Sequence, residues 1–366
     1  MEGPRKLQAP ATIIMSRAGS TVSPVVYSFR KSSTLYSLQG AIIAAIVLLP
    51  LLTSSDYLIT MATFMGMYAM LVIGLNLVLG NAGQISLGQG AFFGIGAYTY
   101  AILTKDNFPF WFAYLASPAL AAIAGFVVGY IALRLRGHYF AMATLAFALI
   151  MHRLFHNLPI TGASLGLYDI RMPSFLVASG KVLPDPIRVY YSVWLIAAII
   201  AIFTANVTRY RVGRALAAIH EDEVAAAMLG IDVAKYKIEV FVISAIYSGI
   251  AGSLFAGYSS LISSTAFALD RSLDILLMAV IGGLGSVFGS ILGAILWTIL
   301  PEIFKMFELL QGLEPYRLVT FGIVIILIVI FWPEGAVGAL RGLAEKWDRS
   351  RPSSNASGAR GNNGTA

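Results

Sequence analysis

Long apolar stretches dominate this chain, and they constrain its fold more than any single motif does. A membrane-spanning helix needs about 20 mostly apolar residues, and eight stretches are close to that length. They lie near residues 36–53, 57–79, 85–104, 111–133, 138–156, 188–208, 238–261 and 316–332. A ninth and longer stretch, 272–303, is interrupted by the sequence GGLGS. The pattern predicts an all-α, polytopic bundle of transmembrane helices.

The composition supports a membrane protein over a soluble one. Of 366 residues, 58% are hydrophobic and only 12% are charged, which is more apolar than soluble domains are. There are no cysteines, which excludes disulfides and thiolate metal ligands. The net charge of +7 does not indicate nucleic acid binding, because the basic residues lie beside apolar stretches and form no aromatic-interleaved stripe. Membrane topology accounts for them better.

Basic residues are distributed unequally among the connections between the apolar stretches. When alternate connections are assigned to the cytoplasm, 17 of the 25 Lys and Arg residues lie there, as the positive-inside rule requires. Both termini are then cytoplasmic, so the number of crossings must be even. The stretch 272–303 could be one long tilted span, but an even count requires it to cross twice or to re-enter. We therefore expect about ten membrane segments, some of them broken or re-entrant.

Three regions follow from this topology. Residues 1–35 form a basic arm rich in Ser and Pro that has no signal-peptide core, and we expect it to be disordered. Residues 36–338 form the transmembrane domain, which includes a cytoplasmic segment at 209–237. Residues 339–366 form a low-complexity cytoplasmic tail.

Residues 213–230 carry charges that the membrane interior would not tolerate. Each charge at the bilayer centre costs roughly 2.5–3.5 kcal/mol on insertion scales, so this segment must lie in water. Its charged residues are Arg214, Glu221, Asp222 and Glu223. The segment is rich in Ala and ends at Gly230, which predicts a short helix, a turn and a second helix at the membrane surface. Such a segment suits the coupling of a transporter to a soluble motor, although an ordinary solvated loop is the alternative.

Glycines are concentrated in two regions that align as a weak internal repeat, LNLVLGNAGQISLG and LMAVIGGLGSVFGS. Breaks in helices at membrane depth are tolerated only where protein or a water-filled cavity satisfies the backbone, and transporters place such breaks around the substrate. Close helix packing through small residues is the alternative, and both interpretations remain open. The candidate pathway residues are Gly80, Gly83, Gln84, Ser86, Gly88, Gln89, Gly282, Gly283, Gly285 and Ser286.

Groups that would carry catalysis or ion coupling are scarce. The chain has no GxxxxGK[ST] loop, so it does not bind ATP by that means. His152 and His156 lie four residues apart but lack further ligands nearby in sequence, so we expect neither a metal site nor a cofactor. Asp56, Glu239 and Asp274 are placed near the ends of apolar stretches, which disfavours the proton relay of a secondary carrier. A membrane enzyme is disfavoured further, because no nucleophile or metal set is present.

Several segments together resemble the permease subunits of bacterial ATP-binding-cassette importers for branched-chain amino acids, the LivM type, a family that also includes urea permeases. They are GLNLVLGNAGQISLGQGAFFGIGAY (74–98), YFAMATLAF (139–147), TGASLGL (161–167), VGRALAAIHEDEVAAAMLGI (212–231), AVIGGLGSVFGSILGAI (279–295) and FWPEGAVG (331–338). Within the importer-wide EAAxxxG coupling pattern, Ala225, Ala226 and Gly230 match, but Val224 stands where Glu is usual. Ala163 likewise replaces the second Gly of the family's TGGxxGL.

The resemblance implies a permease in the bacterial inner membrane with several partners. These are a homologous second permease, two cytoplasmic ATPase subunits that bind the ATP, and an extracytoplasmic solute-binding protein. It also implies that residues 213–230 dock on an ATPase and that the two glycine regions line the translocation pathway. A permease for urea, an amide or another small polar solute is an alternative, as is a channel or secondary carrier.

Overall fold

The computed structural model describes residues 55–132, 138–171 and 186–306, with scattered positions between 40 and 53 and between 322 and 338. The predicted terminal arm and tail, and most of the segments 36–53 and 316–332, lie outside the described residues. The described chain is almost entirely helical, as the apolar stretches predict. Its helices are α1 (Asp56–Asn76), α2 (Gln89–Lys105), α3 (Phe110–Ala132), α4 (His138–Asn157), α5 (Pro186–Arg209), α6 (Arg211–Glu221), α7 (Glu223–Met228), α8 (Val233–Ser259), α9 (Leu269–Gly282) and α10 (Val287–Met306).

Five helical runs are long and apolar enough to cross a membrane, and the bent pair α9 and α10 provides a sixth candidate within the described ranges. The predicted segment near 85–104 differs, because α2 begins only at Gln89 and has 17 residues. Upstream of it, α1 continues as a π-helical turn, Leu77–Asn81. Residues 83–88 are then non-helical, and Gly83 adopts a left-handed φ of 69° that few other residues tolerate. The first glycine region is therefore a break between two helices.

α1 and α8 form the centre of the subunit. In the most apolar 18-residue stretch of each of these two helices, 72% is buried inside the protein, compared with 22–33% for α3, α4 and α5. Small residues allow the close packing at this centre: a Cβ on Gly96 of α2 would lie 2.3 Å from the carbonyl oxygen of Gly249 in α8. The peripheral helices therefore expose most of their apolar surface to lipid or to other subunits.

The stretch 272–303 turns back on itself rather than forming one long straight helix. α9 and α10 are related by a bend of 119° at residues 283–286. The first turn of α10 bonds to Asn76 at the far end of α1, and its later residue Ile295 packs with Ile59 near the start of α1. α10 therefore runs back along α1. α9 has 14 residues, a length of about 21 Å, which is too short to cross a hydrocarbon core of about 30 Å.

A small cap covers the side of the subunit opposite the 209–237 segment. It contains the 3₁₀ turns Pro159–Thr161 and Ala163–Leu165, followed by the strand β1 (Leu167–Tyr168). β1 pairs antiparallel with β2 (Leu261–Ile262), which follows α8. His152 and His156 of α4 each have Nδ1 within hydrogen-bonding distance of Ser264 below this cap, at 3.1 Å from its carbonyl and 3.2 Å from its hydroxyl.

Candidate functional site

The charged segment between α5 and α8 forms two short helices rather than one. Its first helix, α6, ends at Glu221, and the backbone at Asp222 is extended (φ −157°, ψ 113°). Asp222 then caps α7, because its Oδ1 accepts hydrogen bonds from the amides of Val224 at 2.7 Å and Ala225 at 3.0 Å. α7 is followed by Gly230 with φ 83°, as the sequence predicts for a helix stop. We name residues 211–230 the coupling segment.

α6 attaches the coupling segment to the membrane domain, whereas α7 stands away from it. α6 buries the face that contains Leu216 and Ile219. α7 buries only Ala226. Three apolar side chains, two at other positions of α7 and one directly after it, are solvent-exposed: Val224 at 55%, Met228 at 84% and Leu229 at 80%. The other predicted coupling residues are exposed except Glu223, which is half-buried: Arg214, Glu221, Asp222, Ala225 and Gly230. An apolar, water-facing helix of this kind has the character of a protein-docking surface.

Glu223 is half-buried because it pairs with a residue that the sequence did not single out. Lys237, in the second turn of α8, is only 7% exposed, and its Nζ donates to Glu223 Oε1. No other charged side chain is buried in the part of the chain that the structure describes. Seven residues further along the same face of α8, Ser244 accepts a 2.6 Å hydrogen bond from Gln89 Nε2. One helix thus joins the coupling segment to the first residue of α2.

The first glycine region packs against the end of α6. A Cβ on Gly83 would come within 2.8 Å of His220 Nδ1. The backbone of this region is partly satisfied by side chains, since the amide of Leu87 donates to Thr144 Oγ1 at 3.0 Å and that of Gly88 to Ser86 Oγ at 3.4 Å. Thr144 is the seventh residue of α4, a candidate span, so the non-helical residues next to it pack inside the helical bundle, where protein must satisfy their backbone groups.

The polar side chains of this region are buried rather than open. Gln84, Ser86 and Gln89 are 7%, 1% and 1% exposed. Among the residues that the structure describes, Gln84 Oε1 is buried without a hydrogen-bond partner, as is the Tyr98 hydroxyl deeper in α2. Buried polar atoms are usually paired, so Gln84 is the polar group of this break whose bonding is incomplete.

The second glycine region is held against the first by Asn76, which the sequence did not indicate. The Asn76 Nδ2 group donates to the carbonyl oxygens of Gly283 at 3.2 Å and Ser286 at 3.1 Å, and to Ser290 Oγ at 2.8 Å. Its Oδ1 accepts from the amide of Gly285 at 2.7 Å. The side chain, 3% exposed, therefore satisfies the turn between α9 and α10.

Several of the predicted pathway glycines are in close backbone contact. A Cβ on Gly80 would lie 2.2 Å from the amide nitrogen of Gly285, and one on Gly282 would lie 2.0 Å from the carbonyl oxygen of Gly289. Gly283 and Gly285 have φ of 113° and 75° and form the turn. Gly88 has more space, with no atom nearer than 3.5 Å to an added Cβ. The two breaks thus meet each other through close backbone contacts at these glycines.

Charged residues occur deeper in the bundle than the sequence indicated. α9 begins at Leu269, before the apolar stretch, so Arg271 lies within the helix. Arg271 Nη1 donates to Tyr68 Oη at 3.2 Å and is 3.5 Å from Asp274 Oδ2. Tyr68 lies halfway along the 26-residue helical run Asp56–Asn81. Asp274 itself lies in the second turn of α9, and its contact with Arg271 places the pair beside the middle of α1.

The comparisons with known proteins agree on one family. The family model described as "Branched-chain amino acid transport system / permease component" matches residues 57–329. The LivM permease of the high-affinity branched-chain amino acid transport system of Escherichia coli is 32% identical over 93% of this chain and 81% of its own length. Its Salmonella typhimurium counterpart is 32% identical over 77% of this chain and 70% of its own.

A more distant relative extends the similarity to an archaeon. A probable LivM permease of Methanocaldococcus jannaschii is 29% identical over 60% of this chain and 66% of its own length. No solved structure matches this chain significantly. The family match covers both glycine breaks, the coupling segment and every candidate span that the structure describes. This chain therefore belongs to the family of permease components of branched-chain amino acid transport systems, as a multi-pass membrane protein.

Proposed function

We propose that this chain is the transmembrane permease subunit of an ATP-binding-cassette importer that moves branched-chain amino acids into the cell. It would pair with a homologous second permease, two cytoplasmic ATPases and an extracytoplasmic binding protein in the bacterial inner membrane. The observation that carries the proposal is the exposed apolar face of α7, formed by Val224, Met228 and Leu229. Such a face in water requires a protein partner, and a permease without its own nucleotide site requires an ATPase.

The coupling segment would transmit motion because it would contact an ATPase on one side and α8 on the other. α7 would insert into a cleft of the ATPase, while the pair formed by Lys237 and Glu223 would tie α7 to α8. Because α8 is a central helix and bonds to Gln89 through Ser244, its displacement would reach the first glycine break. Closure of the ATPases would then rock the central helices so that access alternates across the membrane.

The importer assignment is tested by reconstituting the chain with the ATPases, second permease and binding protein proposed as its partners. We expect uptake of radiolabelled L-leucine into proteoliposomes that depends on internal ATP and on the external binding protein. Omission of either should reduce uptake to the level of empty vesicles. Leucine flux that persists without ATP would identify a channel or secondary carrier instead, and uptake of urea in preference to leucine would reassign the substrate.

The topology makes a second prediction, for which the absence of native cysteines gives a clean background. Ala227→Cys in α7 should be protected from an impermeant maleimide in intact cells, whereas Ser164→Cys in the opposite cap should react. Both positions are exposed in the folded chain, and the chain is expressed without the ATPases so that docking on α7 cannot shield position 227. Permeabilised cells of the same strain provide the control, because both cysteines should then react. Labelling of position 227 from outside would invert the proposed orientation.

A further inference from the structure

From residue 62 onward, α1 is closed by protein on all sides except one narrow stripe. Between residues 62 and 78, Phe64 and Tyr68 are the only side chains that are not buried. They lie four residues apart, hence on one face of the helix. The rings of Phe255 and Tyr258 in α8 lie against this stripe, with centroids 6.0 Å and 5.7 Å from that of Phe64. The result is a partly open aromatic cleft near the middle of the bundle.

A charged pair from α9 borders this cleft. The Arg271 guanidinium lies 5.4 Å from the centre of the Tyr68 ring, and its Nη1 contacts both the Tyr68 hydroxyl and Asp274. Nε of Arg271 donates to the carbonyl of Ala266 at 3.3 Å. Among the described residues, Arg271 Nη2 and Asp274 Oδ1 have no hydrogen-bond partner. Each group of the pair therefore keeps capacity for a ligand.

Neither charge is enclosed by the subunit. The Arg271 and Asp274 side chains remain 27% and 33% exposed, at the depth of a residue halfway along a 26-residue helical run. Charges at this depth are costly in lipid and usually face a water-filled cavity or bundle interior. The cleft therefore opens onto a polar route or a second subunit, and substrate sites of transporters lie at this depth beside half-helices such as α9.

The geometry points to a binding site for the zwitterion of an aliphatic α-amino acid at Arg271 and Asp274. Nη2 of Arg271 would donate to the α-carboxylate, and Oδ1 of Asp274 would accept from the α-ammonium group. The apolar side chain would pack on the rings of Phe64, Tyr68, Phe255 and Tyr258. This inference rests on the proposed function only in that the solute passes through this subunit.

The pairing of charges selects this chemical class against others. A ligand with a single charge would separate Arg271 from Asp274 and leave one of them unpaired, which is expensive away from water. An uncharged polar solute such as urea would compensate neither. A zwitterion replaces the contact between Arg271 and Asp274 with two contacts, because its carboxylate pairs with Arg271 and its ammonium group pairs with Asp274. The adjoining aromatic rings favour an apolar side chain over a polar one.

The test uses protection of a single cysteine in the purified, assembled importer. Asp270→Cys places a thiol at an exposed position one turn before Asp274, on the same side of α9. We expect L-leucine to slow its alkylation, while leucinol, without a carboxylate, and 4-methylpentanoate, without an ammonium group, need concentrations at least about tenfold higher. In the same background, Arg271→Met should remove the preference for leucine over leucinol. Asp274→Asn should remove the preference for leucine over 4-methylpentanoate.

Matched variants separate recognition from folding. Arg153→Met removes an exposed arginine of α4 outside the cleft, and both preferences should persist. Arg271→Lys keeps the charge, so it should assemble and retain part of the leucinol discrimination even if Arg271→Met does not assemble. Absence of protection by leucine, or preferences unchanged in the Arg271 and Asp274 variants, would overturn the site. Because protection needs neither ATP nor the binding protein, it can succeed where ATP-driven uptake fails, and the reverse.

Discussion

Gly80→Ala should almost abolish the amount of folded protein in the membrane, whereas Gly88→Ala should leave it nearly unchanged. The added methyl at position 80 would lie 2.2 Å from the Gly285 amide nitrogen and 2.3 Å from Asn76 Oδ1. These two atoms are already hydrogen-bonded to each other, so neither can move without breaking the clamp. Overpacking costs about 1–3 kcal/mol, and a buried polar group left unpaired costs about 1–3 kcal/mol more.

Detergent extraction followed by size-exclusion chromatography measures this difference, with thermal unfolding of the recovered peak as the second readout. The Gly88 variant is the control because its methyl would meet nothing closer than 3.5 Å. Equal recovery of both variants, with lost uptake in the Gly80 variant alone, would contradict the packing role and favour a pathway role for Gly80. Gly283, with φ 113°, should behave like Gly80 when replaced by Ala, because the turn strains any side chain.

Reversing the charge of Lys237 should uncouple ATP hydrolysis from uptake, and a second reversal at Glu223 should restore the coupling. Lys237→Glu places two carboxylates where Nζ now contacts Glu223. Breaking an exposed ion pair costs roughly 0–1 kcal/mol of stability, and breaking a buried one costs roughly 3–5 kcal/mol. The stability lost in Lys237→Glu should lie between these values, because the Glu223 side chain is 43% exposed and that of Lys237 only 8%. In Lys237→Glu/Glu223→Lys the pair is re-formed with opposite polarity.

The quantity to measure is leucine transported per ATP hydrolysed in proteoliposomes. A matched control lies in the first turns of the same helix, where Lys235 and Glu239 form an ion pair at 4.0 Å with side chains 67% and 44% exposed. Reversing that pair singly or doubly should leave the ratio unchanged. If the doubly reversed Lys237 and Glu223 variant is no better than the single ones, the pair does not transmit force. A proportional fall in assembly, hydrolysis and uptake would limit it to stabilising the fold.

The sequence predicts features that depend on local composition. Apolar length predicts the helices of 55–306, and the glycines of 282–286 together with the parity of crossings predict the reversal between α9 and α10. The charges of 213–230 and Gly230 predict the coupling segment and its stop. The sequence does not predict the break at Asp222. One continuous helix and two helices separated by an Asp222 cap have nearly equal propensity in this segment.

Features that depend on distant contacts were missed for a physical reason. Asn76 looks like an ordinary polar residue at the end of a span, since its partners are more than 200 residues away. Lys237 is one of several basic residues at the membrane surface, and only the position of α7 buries it. Arg271 precedes the apolar stretch 272–303, so local composition does not place it in a membrane helix, yet α9 starts at Leu269 and carries it into the bundle.

The clamp at Asn76 has a consequence for synthesis of the chain. Its nearest partner along the sequence, Gly283, is 207 residues downstream. At a translation rate of about 5–20 residues per second, the partner emerges roughly 10–40 s after Asn76. During that interval the Asn76 amide must be satisfied by water, by the insertion machinery or by transient neighbours, since an unpaired amide in hydrocarbon is expensive. α1 therefore enters the membrane before the contacts that make it a central helix exist, and the bundle can close around it only after α9 and α10 have been synthesised.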